Sequence, residues 1–184
     1  MITPHAKTTI VGNSLEIWKL KTYLRKVAVT ESHVLITGET GTGKELAARY
    51  IHEHSTRRTK SLITINCAAL PDGLLESELF GYVRGAFTGA VSSYAGKLKL
   101  ADGGTVLFDE IGEMSPHAQA KLLRVIETKE VYPLGGRHSV PVNIRIIAAT
   151  NRDLDHEIAR KGFRQDLYFR LNVARIEMPR LRER

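Results

Sequence analysis

The chain has 184 residues, 42% hydrophobic and 26% charged, a profile that excludes a disordered polypeptide and fits one globular domain with a sizeable core. Its single cysteine, Cys67, excludes an internal disulfide framework and suits a reducing cytoplasm, and no apolar run approaches the roughly 20 residues that span a bilayer. The net charge of +7 is local: residues 160–184 hold eight Lys/Arg and three Asp/Glu, as scattered arginines without a helix-turn-helix or zinc module, which argues against direct DNA binding.

Residues 1–9 read as a flexible segment without a signal-peptide core. Ser14 to Val29 reads as a helix capped by Ser14, with Ile17, Leu20, Tyr23 or Leu24 and Val27 near helical spacing and Trp18 assigned to packing. His33 to Thr37 is a short β-rich run, and Glu45 to His54 is a helix. Between them, Gly38-Glu39-Thr40-Gly41-Thr42-Gly43-Lys44 fits the Gly-x-x-x-x-Gly-Lys phosphate-binding pattern, in the strand-loop-helix context that the pattern requires. Glycines let the backbone curl until its N–H groups and the helix N-terminus face phosphate, and Lys44 reaches the β and γ oxygens. The hydroxyl expected after the lysine as a Mg²⁺ ligand is replaced by Glu45, so a metal has to be held elsewhere.

Leu62 to Asn66 reads as a second strand, with Asn66 a cap or turn residue by its chemistry and Cys67 a small core residue. Gly85-Ala86-Phe87-Thr88-Gly89-Ala90 lies between structured segments. Composition favours a surface turn on glycine hinges with Phe87 folded back, whereas an exposed Phe87 would make a contact surface. Thr105 to Asp109 is a third strand, and Asp109-Glu110 sets two carboxylates at the sheet's carboxyl edge. There Asp109 can hold Mg²⁺ through water and Glu110 can orient or deprotonate an attacking water.

Pro116 opens a helix whose Ala118, Leu122, Leu123, Val125 and Ile126 form one apolar stripe. Lys129 to Pro141, with Gly135-Gly136, reads as a hairpin leading to a fourth strand, Val142 to Thr150. Thr150-Asn151 is that strand's polar end, or the cap of a helix starting near Asp153, and a last short strand runs from Asn172 to Glu177. The expected fold is α/β, a parallel sheet covered by helices on both faces, with ligands beyond the carboxyl ends of its strands. His52 and His54, two apart on a helix, face away from each other, and the other histidines show no ligand spacing.

Several blocks together then carry a resemblance: Glu78-Leu79-Phe80-Gly81, the Gly85–Ala90 hexapeptide, Ala101-Asp102-Gly103-Gly104-Thr105, Lys121-Leu122-Leu123-Arg124-Val125-Ile126-Glu127 and the run from Phe163 to Val173. From Ile10 to the last residue the chain resembles the AAA+ central domain of bacterial enhancer-binding proteins, of which Gly-Ala-Phe-Thr-Gly-Ala is a signature. The resemblance implies an AAA+ P-loop NTPase with ATP and Mg²⁺ as cofactors. Asp109-Glu110 then matches a Walker B motif with Asp109 toward the metal, and Thr150-Asn151 matches sensor I. Asn66 is expected to bond the Walker B glutamate, and Val11 and Gly12 join Gly38–Glu45 in holding nucleotide. Glu45 is commonplace after the lysine in that family.

The same resemblance assigns Gly85–Ala90 to the sigma-54 factor of RNA polymerase holoenzyme, touched by Phe87 and Thr88, with the 129–141 insertion in support. Arg164 and Arg170 would project into a neighbouring subunit's site in a homo-oligomeric ring, a hexamer. The plainer reading pairs them with Asp166 or Glu177 at the surface. The closing segment from Pro179 resembles the hand-over to a helical lid, so the lid, a receiver domain and the DNA-binding module are expected outside this chain. A non-hydrolysing module that binds nucleotide or sigma factor is the alternative. A P-loop kinase of metabolites would need an acceptor pocket and lid arginines that this sequence does not offer.

Overall fold

Successive residues of a strand face opposite sides of its sheet, and in this chain both sides are apolar, which demands two covering layers. The computed structural model, which describes residues 10–12 and 14–180, has that arrangement. The expected flexible segment 1–9 and the last four residues of the closing segment lie outside the described residues. In chain order the elements are α1 (Leu15–Ala28), β1 (Val34–Thr37), α2 (Lys44–Glu53), β2 (Leu62–Asn66), α3 (Asp72–Phe80), α4 (Lys97–Leu100) and β3 (Thr105–Asp109). After a 3-10 turn (Ile111–Glu113) come α5 (Pro116–Thr128), β4 (Glu130–Val131), β5 (Val140–Pro141), β6 (Arg145–Thr150), α6 (Leu154–Ala159), α7 (Gln165–Leu171) and β7 (Ala174–Glu177).

The main sheet is parallel throughout, in the order β2-β3-β6-β1-β7. Val34, Ile36, Leu107, Ile147, Ala149 and Ile176 face the layer made by α1 and α2. Leu35, Val106, Phe108, Ile146 and Ala148 face the other, made by α3, α5 and α7. The order sets β1, β6 and β3 side by side, so the turns leaving their carboxyl ends share one edge. Among the described residues no helix is long and apolar enough to cross a membrane.

Three expectations need correction. Trp18 is 65% exposed, not packed, because α1 buries Ile17, Leu20, Leu24 and Val27, and Trp18 sits beside that stripe. The fourth strand is shorter than Val142 to Thr150. Val140–Pro141 pairs antiparallel with Glu130–Val131, and the next residues are drawn aside as Val142 N–H donates to Lys129 O and Asn143 N–H to Asp102. The last strand starts at Ala174, since Asn172 ends α7, a helix the sequence reading did not separate.

Arg145, the first residue of β6, is buried, and among the described residues its hydrogen bonds go to backbone carbonyls. Its guanidinium donates to Val27 O at 2.8 Å, Ala28 O at 2.9 Å and Ser32 O at 3.2 Å, closing the carboxyl end of α1.

Candidate functional site

Gly38–Lys44 leaves β1 and turns into α2. Gly41 and Gly43 both have φ near +80°, and a Cβ placed on Gly41 would meet no atom within 4 Å, so the loop presents an open concave backbone ahead of a helix N-terminus. Gly38 is packed instead. A Cβ there would lie 2.8 Å from Met178, and its N–H donates to Thr150 O at 3.3 Å, tying the loop to the end of β6. The loop is braced internally by Thr42, whose hydroxyl donates to Glu39 O at 2.7 Å. Lys44 is buried and curls back over the loop, its Nζ donating to Gly38 O at 2.9 Å and Glu39 O at 3.3 Å.

Asp109 and Glu110 follow from β3. Burial raises the Asp109 carboxyl above the usual carboxylate range, and the Glu110 charge adds to that. Glu110 takes a left-handed backbone, φ +51°, and its carboxylate turns inward. One oxygen accepts from the Asn151 N–H at 3.1 Å and the other lies 3.7 Å from Lys44 Nζ. Asn151 also donates through Nδ2 to the Thr40 hydroxyl at 2.9 Å, so the end of β6 joins both the phosphate loop and the acidic pair. Thr150 is buried, its hydroxyl accepting from the Arg152 N–H.

Other expected residues stand apart from this cluster. Asn66 lies beside Asp109 in the sheet register, but its Oδ1 accepts from Ala68 N–H at 2.9 Å, the turn role, while Glu110 is held by Lys44 and Asn151. Glu45 is on the exposed face of α2, paired with Arg49 at 2.7 Å. Val11, exposed, and Gly12, packed against Ile17, precede α1. Cys67 is buried, and burial pushes its thiol up to about 12, which suits a core residue and not a nucleophile.

The Gly85–Ala90 loop is the tip of a ribbon. Tyr82 and Tyr94 exchange both backbone hydrogen bonds at 2.9 Å, and Gly85 N–H donates to Ala90 O at 2.9 Å. Phe87 is 46% exposed, its ring set edge-on to Tyr82 with centroids 5.0 Å apart. Thr88 and Gly89 are exposed and Ala90 is buried. The hairpin expected at 129–141 is present as β4 and β5. Its Leu134 exchanges bonds with Gly81 and Val83 at the ribbon's base, and Gly135 fits against Ala86, where a Cβ would come within 2.9 Å.

Arg164 and Arg170 are both exposed, the first paired with Asp166 at 2.7 Å and the second with Glu127 at 3.0 Å. The sequence reading missed what holds Arg164 in place. Gln119, fully buried in α5, accepts from Arg164 N–H at 2.8 Å and donates to Met114 O and Gly162 O at 2.7 and 2.9 Å. A polar residue on the apolar face of α5 was the available signal. Among the described residues no group of three or more His, Cys, Asp or Glu could hold a metal by itself. Asp109 is the carboxylate that β3 sets at this edge beside Glu110, and the Thr37 hydroxyl, buried with no partner among the described residues, lines the adjoining cleft with Gly38, Glu39 and Asn151.

The family model described as "Sigma-54 interaction domain" matches residues 10–177. A Nif-specific regulatory protein of Azotobacter vinelandii is 53% identical over 175 residues, covering 95% of this chain and 34% of that protein. The DNA-binding transcriptional activator HyfR of Escherichia coli (strain K12) is 56% identical over 158 residues, covering 86% of this chain and 24% of that protein. The chain thus spans about a third or less of the length of these relatives. Crystal structures of NtrX from Brucella abortus resemble the fold closely. The complex with ADP has a TM-score of 0.90 at 36% identity, covering 97% of this chain and 39% of that one, and the complex with ATP scores 0.87 at 37%, covering 94% and 37%. The P-loop NTPase domain of an Escherichia coli sigma-54 activator shares the fold alone, with a TM-score of 0.62 at 19% identity, over 93% of this chain and 99% of that one.

Proposed function

This chain belongs to the sigma-54 interaction domain family, and from that premise we propose that it is the ATP-hydrolysing α/β core, residues 10–184, of an activator of sigma-54 RNA polymerase. The observation that carries the reading is the meeting of Lys44, Glu110 and Asn151 from three adjacent strand ends. That is the set a phosphoryl transfer to water requires: a cation for the phosphates, a carboxylate for the water and a polar group between them. That NtrX, which shares this fold, was crystallised with ATP and with ADP supports nucleotide binding by this chain.

In this reading the glycine cradle and α2 hold the phosphates, Lys44 leaves Glu110 for the phosphate oxygens, and Asp109 holds Mg²⁺, which supplies charge to offset the phosphates when bound. Glu110, released from Lys44, receives the proton of the attacking water, and Asn151 reports the state of the site to the phosphate loop through Thr40. Arg164 and Arg170 act on a neighbour's site in a hexameric cytoplasmic ring. Their present partners are exposed carboxylates, which give them up readily to a phosphate. Hydrolysis moves the Phe87 ribbon against the sigma factor.

ATP turnover by this chain, together with capture of purified sigma-54 in the presence of ADP–aluminium fluoride, tests the proposal. Turnover that is lost in Glu110→Gln, and capture that is lost in Thr88→Ala with turnover intact, are the expected results. No turnover by the wild-type chain refutes the enzyme and leaves a binding module. Capture retained by Thr88→Ala refutes the loop assignment.

A further inference from the structure

Glu110 is the one carboxylate of the site whose backbone is left-handed, and it opens the 3-10 turn Ile111–Glu113. A non-glycine residue keeps that conformation only where neighbours fix it, so whatever holds the turn also aims the carboxylate. The turn is held from outside by Arg152. Its Nη1 donates to Gly112 O at 3.0 Å and its Nη2 to the Glu113 carboxylate. The stem of Arg152 packs on Gly112 without an intervening atom, for a Cβ there would sit 3.0 Å from Arg152 Cδ and 3.1 Å from the Thr150 hydroxyl. On its far side the same guanidinium lies 4.0 Å from Glu157 of α6.

Arg152 follows Thr150-Asn151 directly, and its own N–H donates to the Thr150 hydroxyl at 3.0 Å. One residue thus grips the turn after Glu110 by its side chain and the end of β6 by its backbone, while Asn151 N–H grips the Glu110 carboxylate itself. Planar, bidentate donation to a carbonyl and a carboxylate suits a guanidinium and no other side chain.

We propose that Arg152 is a positioning residue that sets the Glu110 carboxylate for its water, coupling the polar end of β6 to the turn after β3. The inference rests on the reading of Glu110 given above. Arg152 touches neither nucleotide nor water in this role. It acts by denying the 110–113 turn its alternative conformations.

The experiment compares the wild-type chain with Arg152→Ala and Arg152→Lys. For Arg152→Ala, kcat for ATP is expected to fall about 10–100-fold, the range for groups that orient a reactive one, with KM and affinity for a fluorescent ATP analogue within about threefold. Arg152→Lys recovers part of kcat, since it keeps charge and stem but not the fork. In the Glu110→Gln background, Arg152→Ala is expected to cause no further loss, because the two changes act on one step. Amide hydrogen exchange across residues 110–114 and at Asn151 is expected to rise in Arg152→Ala and to return toward wild type in Arg152→Lys. An Arg152→Ala chain with unchanged kcat, or with unchanged exchange in that segment, overturns the inference. If the wild-type chain turns over no ATP, the proposed function fails, and the exchange measurement alone decides the clamp.

Discussion

The Nζ of Lys44 stands 3.7 Å from Oε1 of Glu110, so the cation proposed for phosphate and the carboxylate proposed for water are paired with each other in this structure. Nucleotide entry has to separate them, and the two substitutions then differ in kind. Lys44→Ala is expected to abolish binding of a fluorescent ATP analogue. Glu110→Gln is expected to keep binding and lose turnover by about 10²–10⁴-fold, the usual worth of a general base. Equilibrium binding and single-turnover hydrolysis on both variants check this. Tight binding by Lys44→Ala would contradict the assignment of the phosphate loop.

His33 predicts an acid limit to stability. Burial, helped by Lys129, Arg145 and Arg57, pushes its imidazole down to about 4, and its Nδ1 accepts the Ile146 N–H at 3.2 Å, a bond the protonated ring cannot make. The folded chain therefore binds fewer protons than the unfolded one between about pH 4 and 6.5. Stability is unaffected by this group above pH 6.5 and falls as pH drops through that window, by up to about 3 kcal/mol from this group. His52, also buried and shifted down, acts in the same direction. Urea unfolding from pH 7.5 to 4.5 is expected to show a shallower fall in His33→Gln than in wild type. Parallel curves would exclude His33 as the cause.

Arg145→Met keeps much of the stem but removes the guanidinium from Ala28 O, Ser32 O and Val27 O, of which Val27 O keeps the Thr30 N–H and hydroxyl as donors. Leaving buried acceptors unpaired costs about 1–3 kcal/mol each before relaxation, so with two carbonyls losing their donor the expected loss is at least about 2 kcal/mol in chemical unfolding. A loss below about 1 kcal/mol would mean that water reaches those carbonyls.

Glycines around the Phe87 ribbon differ between its base and its tip. Gly81 has φ +74° and a Cβ there would lie 2.3 Å from Tyr94 O, whereas a Cβ on Gly85 or Gly89, also at positive φ, would meet nothing within 4 Å. Gly85→Ala and Gly89→Ala are expected to cost about 1–2 kcal/mol of backbone strain each. Gly81→Ala is expected to cost more and to open residues 82–94 to limited proteolysis. Equal thermal shifts in the three variants would contradict the close backbone packing of Gly81 at the ribbon's base.

The legible parts of this fold were those where chemistry and periodicity coincide in one short stretch. β2 and β3 were placed residue for residue because β-branched and apolar runs end in polar groups, and the phosphate loop because its glycines sit between a strand and a helix. α3 escaped because its leucines are spread around the helix, with Leu74 exposed and Leu75 and Leu79 buried, and α7 because seven residues give too little period to read. Trp18 was misread because it lies one position from the buried stripe of α1. Of the site, Lys44, Asp109, Glu110 and Asn151 could be named from sequence. The long-range bonds could not: Arg152, behind Glu110, reaches Gly112 over 40 residues, Gln119, behind Arg164, reaches Gly162 over 43, and Arg145 reaches the carbonyls at the end of α1 over 113 to 118. Such partners are set by the sheet order, which no local pattern encodes.

Tyr82 bridges Tyr94 on one side and Leu134 on the other, so the two insertions share a single root. Mechanically they form one composite lever with one fulcrum. With Gly135 seated against Ala86, a load at the Phe87 tip bends both ribbons together, and the pair is stiffer than either strand of backbone would be alone. In the proposed cycle, a stroke made at the base reaches the tip through both ribbons at once.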